Sequence, residues 1–141
     1  MIYHLDTDSF TLAYYKKSGV AERIEKERLT DTVEVPMITR LEVLQGRISS
    51  ILKVADAEQL VSAIDRLRRS EEFLAEFDLA PLSDKAGVFF GRFHAEKKYR
   101  KIGRADLLIA CIALAHNATL VTRNTKDFAV VPGLKLENWA D

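Results

Sequence analysis

Asp106-Leu107-Leu108-Ile109-Ala110-Cys111-Ile112-Ala113-Leu114, followed shortly by Thr119-Leu120-Val121-Thr122, is the stretch that decides the fold. After its opening carboxylate the first run is apolar almost all round, and a helix without a polar face has to be covered on every side. The second run reads as a short strand. Working outward, Ile2 to Leu5 reads as a strand ending at Asp6. Thr7, Asp8 and Ser9 can cap a helical pattern that runs to about Arg28. Thr32 to Pro36 is a second strand, carrying the β-branched Val33 and Val35, and a helix starts near Thr39. Val54 to Phe77 is a long amphipathic helix with Leu60, Ile64, Leu67 and Leu74 at helical spacing. Phe77 to Leu82 follows as a strand, and Ser83 caps a helix that turns Val88, Phe89, Phe93 and Ala95 partly inward. Leu134 to Leu136 forms a last strand. Short strands alternating with helices give an α/β fold with a largely parallel central sheet. Sites in such folds gather outside the carboxyl ends of the strands, where strand order reverses.

The composition narrows the class. A chain of 141 residues fits one domain, and 48% hydrophobic with 30% charged residues is an ordinary globular balance. No repeat, low-complexity tract or Gly/Ser linker divides it. Lys+Arg and Asp+Glu are both 21, so nucleic-acid binding has to be argued from local clusters and not from net charge. The single cysteine, Cys111, lies in the apolar run and reads as a buried core thiol in a reducing compartment. Met1 to Asp6 lacks the basic and apolar regions of a signal peptide, and no window is long enough to span a bilayer. The expectation is a soluble, cytoplasmic protein that does not bind membranes.

Carboxylates stand at several element junctions. Asp6 ends the first strand, where it can cap the next helix or hold a metal. Glu42 lies in Thr39-Arg40-Leu41-Glu42, the spacing of a capping box, in which both side chains satisfy helix-end amides. It could equally point inward as a ligand. Asp106 opens the most buried helix, either as a cap or as a ligand on a rigid support. Asp127, in Thr122-Arg123-Asn124-Thr125-Lys126-Asp127, completes an acidic cluster or is a turn residue. Oxygen donors select hard cations, Mg²⁺ or Mn²⁺. His4, His94 and His116 show no metal-ligand spacing and read as structural or solvated. Lys97, Lys98, Arg100, Lys101 and Arg104 stand just before Asp106 and could grip a polyanion by its phosphates. Tyr99 could stack on a base. Arg66, Arg68 and Arg69 read as the solvated face of their helix.

Taken in order, these motifs resemble the PIN-domain family, and specifically VapC-type toxins. Leu5-Asp6-Thr7-Asp8 resembles the family's opening motif, and Thr39 to Gly46 its second, an acidic residue followed four positions later by glycine. Arg104 to Ala110 resembles the third motif, Leu120 to Phe128 the fourth, and Val131 to Trp139 the ending of the toxins. The resemblance implies one domain over residues 1–141, an α/β/α sandwich around a parallel sheet, and Mg²⁺- or Mn²⁺-dependent endoribonuclease activity. It implies metal-site roles for Asp6, Glu42 and Asp106. Asp127 is a candidate for the fourth catalytic acid, beside Asn124 at the family's usual position. Thr122 and Asn124 of the fourth motif, with Arg104, Lys101 and Arg100 of the basic loop, are the candidate substrate contacts. The resemblance also implies an RNA substrate, a cognate antitoxin whose C-terminal segment covers the site, and a toxin homodimer. Asn124 stands where many relatives carry Asp, and Asp8 where they often carry Asn or Ser.

Two other readings use the same residues. Asp6-Thr7-Asp8 after a strand also fits the nucleophile–acid pair of a haloacid-dehalogenase-type phosphatase. A module that has lost catalysis would still hold RNA or protein through the basic loop.

Overall fold

The computed structural model describes all 141 residues. Its strands are β1 (Ile2–Leu5), β2 (Thr32–Pro36), β3 (Asp78–Ala80), β4 (Thr119–Val121) and β5 (Lys135–Glu137). They form one parallel sheet in the order β3-β2-β1-β4-β5. The chain therefore builds outward from β1 to β3, then returns to lay β4 on the other side of β1. The helices are α1 (Thr7–Tyr14), α2 (Val20–Glu27), α3 (Met37–Lys53), α4 (Ala57–Leu74), α5 (Asp84–His94), α6 (Arg104–Ala115) and α7 (Thr125–Phe128).

Residues in register across a parallel sheet point to the same face, and neighbours along a strand to opposite faces. Tyr3, Leu5, Val33, Val35 and Val121 accordingly share one core with Phe10 of α1, Val20 and Ile24 of α2, and Val43 of α3. On the other face Leu120 packs with Phe93 of α5 and with Ile109, Ala110 and Ala113 of α6. This is the α/β/α sandwich that the motifs imply. Fully burying a side chain such as Phe10 or Ile109 contributes roughly 1.5–3 kcal/mol. The near-complete burial of α6 is what its apolar circumference requires. Cys111 lies inside it, and burial pushes the thiol up to about 11, which keeps it protonated and unreactive. No helix is long and apolar enough to cross a membrane.

Several elements differ from the sequence reading. The helix expected from Thr7 to Arg28 is broken into α1 and α2 by left-handed residues at Lys16, Ser18 and Gly19. One rod of that length would measure roughly 30 Å, against strands of roughly 13 Å. Folding it back lets Phe10, Val20 and Ile24 share one face of the sheet. The helix expected near Thr39 begins at Met37, with Pro36 in the cap position, so Thr39 and Glu42 do not form a capping box. In α4, Ala63, Ser70 and Leu74 are buried, whereas Leu60 and Ile64 are exposed. That helix reaches the core only through its last turn, at Phe73 and Leu74, and its remainder lies along α3. Val88 and Ala95 of the α5 region also face outward, leaving Phe93 as the buried anchor. The Arg68 and Arg69 side chains do form a solvated face, paired with Asp65 and Glu72.

Candidate active site

Strand order reverses between β1 and β4, and this is where the carboxylates collect. Asp6 directly follows β1 and is only 6% exposed. Its backbone N–H donates to the Val121 carbonyl at 3.1 Å, which ties the end of β1 to β4. Its carboxylate caps α1 by accepting from the Ser9 N–H at 2.8 Å. The Ser9 hydroxyl in turn donates to the Val121 carbonyl at 3.0 Å. Asp6 is thus a helix cap as well as a candidate ligand. One oxygen satisfies the helix end, and the Thr122 hydroxyl also bonds the carboxylate. Burial pushes the Asp6 carboxyl up, and the Thr122 and Ser9 hydrogen bonds partly offset this.

Glu42 reaches the same region from the second turn of α3. The Thr7 hydroxyl donates to Glu42 Oε1. Thr39, buried in the first turn of α3, donates to the Leu5 carbonyl at 2.9 Å. That bond sews α3 to the end of β1 and sets the height at which Glu42 projects. Sequence reasoning paired Thr39 with the Glu42 region through a local cap. The long-range bond wins because α3 begins at Met37, which puts Thr39 inside the first turn and not at the cap, and leaves its hydroxyl for the Leu5 carbonyl.

Asp106 sits in the first turn of α6, with Gly103 as the cap residue. It is therefore not the N-cap, and its carboxylate is free to face the cluster. Burial first, and then the charges of Glu42, Asp6 and Asp127, push it up to about 6. The four acids thus lie close enough to repel one another although they come from β1, α3, α6 and α7. Asp127 is exposed at the rim, where its Oδ2 accepts from Asn124 Nδ2 at 2.9 Å. The Asn124 N–H donates to the Thr122 hydroxyl at 2.9 Å, and the Thr122 N–H to the Glu137 carbonyl at 2.9 Å. Thr122 is fully buried, so it orders Asp6 and does not line the substrate surface. Asp8 is exposed on α1.

The donor set fits a hard divalent cation, because every candidate ligand is a carboxylate oxygen and their mutual repulsion disfavours the bare ionised cluster. Asp6, Glu42 and Asp106 are the candidate ligands. Thr7, Ser9 and Thr39 are site residues that the sequence marked only as candidate helix caps. The signal available was that each is a hydroxyl residue beside an acidic motif.

Arg100, Lys101 and Arg104 are all exposed beside α6. Arg104 lies over the Phe90 ring at 5.2 Å, and Arg100 and Arg104 border a hollow of about 200 Å³. Lys98, Lys101 and Lys126 line a second hollow, of about 220 Å³, that reaches Asp127. The basic loop and the acidic cluster therefore adjoin, and Lys126 joins the patch. Tyr99 does not present a face for base stacking. It is buried edge-on against Phe93, with ring centroids 4.9 Å apart, because the 3₁₀ turn at Lys97–Tyr99 needs an apolar anchor. The histidines are also not unrelated, since the His4 and His116 rings meet at 5.3 Å on the α6 face of the sheet. A separation of more than a hundred residues hid that pair from spacing arguments.

The PIN-domain model matches residues 3–134. Ribonuclease VapC2 of Rickettsia felis is 35% identical over 142 residues, covering 99% of this chain and 98% of that protein. Among solved structures, the R. felis VapBC2 complex, bound to a DNA fragment from its promoter, superposes with a TM-score of 0.76 at 33% identity, covering 99% of each chain. VapBC-1 from nontypeable Haemophilus influenzae superposes with a TM-score of 0.78 at 26% identity, covering 100% of each chain. A family match over nearly the whole length, and a relative matched almost end to end, show that the chain belongs to the PIN-domain family, among the VapC ribonucleases.

Proposed function

We propose that this protein is a Mg²⁺- or Mn²⁺-dependent endoribonuclease, the toxin of a toxin–antitoxin pair, working as one PIN unit over residues 1–141. The observation that carries the reading is the convergence of Asp6, Glu42, Asp106 and Asp127 at the switch point, where burial and then the charges of the other three acids push Asp106 up to about 6. Such crowding is unfavourable in the bare protein and is relieved by a cation. When bound, the cation would supply charge neutralisation at a scissile phosphate and acidify a water molecule.

The chain's own residues would do the rest. Asp6, just beyond the end of β1, and Asp106, in the first turn of α6, would hold the cation together with Glu42 of α3. Thr122 and Ser9 fix the Asp6 carboxylate, and Thr7 steadies Glu42. Asp127, oriented by Asn124, stands at the open rim where it can take a proton from the attacking water. Arg100, Lys101 and Arg104 would hold RNA phosphates on either side of the cut, which positions the strand without reading its sequence.

The R. felis and H. influenzae relatives are VapBC assemblies, and the corresponding partner here is an antitoxin. Two surfaces would suit protein partners, the antitoxin and a second copy of the toxin. One is the apolar hollow between α1, α2 and α4, lined by Ala13, Tyr14, Ala21, Ile24 and Phe73. The other is the outer face of the α3–α4 hairpin, where Leu52 is 80% and Val61 69% exposed. The compartment consistent with this role and with one buried cysteine is the cytoplasm.

The test is cleavage of a defined structured RNA with Mg²⁺ or Mn²⁺, beside chelated wild type and an Asp6→Asn variant. Asparagine keeps the cap on α1, so the variant should fold. Discrete cleavage lost in both controls supports the nuclease. Cleavage that persists equally in Asp6→Asn rejects this site.

A further inference from the structure

We propose that His4, Glu34 and His116 form a second cation site, for Zn²⁺ or a similar borderline transition metal, on the α6 face of the sheet. Their ligand atoms lie within 4.8 Å of one another. His4 and Glu34 are in register on β1 and β2, so both side chains leave the same face of the sheet. His4 Nε2 donates to Glu34 Oε1 at 2.9 Å. His116 follows the last turn of α6 and brings its ring to 5.3 Å from that of His4.

Two features argue against an ordinary buried ion pair. A second imidazole, rather than a carbonyl or hydroxyl, has been brought beside the fully buried His4. Glu34 retains 18% exposure and His116 is half-buried, which leaves an entry path and an open position for water.

Metal–ligand bonds of about 2.0–2.2 Å place tetrahedral ligands roughly 3.3 Å apart. The His4–Glu34 pair is already inside that spacing, and the widest pair has to close by only about 1.5 Å. His116, at a helix end, has the freedom to move. Two imidazoles and one carboxylate favour Zn²⁺, Co²⁺ or Ni²⁺ over Mg²⁺. This site is also separate from the carboxylate cluster. Asp106 and His116 lie at opposite ends of α6, roughly 15 Å apart along its axis. Metal there would clamp β1, β2 and the end of α6 together.

The experiment is a Co²⁺ titration of the full chain, read by visible absorption and by melting temperature, on wild type, His116→Ala, Glu34→Gln and Asp106→Asn. Four-coordinate Co²⁺ with imidazole ligands absorbs strongly in the visible, whereas Co²⁺ among carboxylates and water absorbs weakly. The expected result is a strong band in wild type and Asp106→Asn that Zn²⁺ abolishes and Mg²⁺ does not. The band should be absent in His116→Ala and at least tenfold weaker-binding in Glu34→Gln. Zn²⁺ at a hundred times its dissociation constant should raise the melting temperature by roughly 5–10 °C where the site is intact. A wild type without the band, or a band that survives in His116→Ala or disappears in Asp106→Asn, overturns the proposal. The metal-free melting temperatures show that each variant is folded, and Glu34→Gln keeps the test open should His116→Ala not fold.

Discussion

Replacing Asp106 with asparagine should stabilise the metal-free protein and at the same time abolish cleavage. The Asp106 carboxyl is pushed from 3.8 to about 6 by burial and by Glu42, Asp6 and Asp127. One pKa unit corresponds to about 1.4 kcal/mol, so ionising this group in the folded chain costs at most about 3 kcal/mol. The group is partly exposed, and solvent screening reduces that to about 1–2 kcal/mol. The sign follows from linkage. The folded pKa is above the unfolded one, so the folded state holds the proton more tightly. The penalty is absent below the unfolded value of 3.8, grows as pH rises, and is complete above about 6. Asparagine removes it, but forfeits about 0.5 kcal/mol of favourable charge at the start of α6. The net gain at pH 7.5 is about 1 kcal/mol, a rise in melting temperature of roughly 3–5 °C. The assay is thermal unfolding in chelator at pH 7.5 and pH 4. The gain should shrink to nothing or reverse at the lower pH. Mg²⁺ should raise the melting temperature of the wild type far more than that of the variant. A variant no more stable than wild type at pH 7.5, or equally stabilised at both pH values, would refute the idea that the acids strain one another.

Thr39→Val removes the hydroxyl that bonds the Leu5 carbonyl and should cost about 1–2 kcal/mol in urea unfolding; because the same bond sets the height of Glu42, Mg²⁺ affinity should fall as well. Asn124→Ala frees the Asp127 carboxylate from its only side-chain hydrogen bond and should weaken Mg²⁺ binding or cleavage by about tenfold, as followed by Mg²⁺-dependent cleavage rates; unchanged rates would show that Asp127 needs no such support. Lys101→Ala combined with Arg104→Ala, in an Asp6→Asn background that leaves RNA intact, should weaken binding to all RNA sequences alike. Each lost phosphate contact should also flatten the salt dependence of log Kd by about 0.7, measured by fluorescence anisotropy across a NaCl series.

Elements whose burial is decided locally were legible before the structure. The apolar run from Leu107 to Leu114 can only be a covered helix, and Val33 and Val35 can only sit in a packed strand. Asp6 and Asp106 could be singled out because one follows such an element and the other opens one, and Glu42 because of the motif around it. What the sequence did not disclose depends on partners distant along the chain. Thr39 matches a capping box in isolation, but a buried strand-end carbonyl thirty-four residues away takes its hydroxyl. Tyr99 sits in a basic loop and still turns inward, because it packs on Phe93 within the apolar cluster around α6. Leu60 and Ile64 carry helical periodicity, but α4 overhangs the core, so periodicity marks a face without saying that anything covers it. The nearness of His4 to His116 arises wholly from α6 crossing the sheet.

The sheet order also fixes the sequence in which the centre can assemble during synthesis. Asp6 emerges early, but the wall that shelters it is β4, and Thr122, which acts on its carboxylate, lies more than a hundred residues further along. β1 can pair with β2 long before β4 has been made, and until then the central strand lacks one neighbour. Asp6, Glu42, Asp106 and Asp127 therefore come together only once β4 and α7 have left the exit tunnel. A nascent chain short of that point carries the acids but not the arrangement.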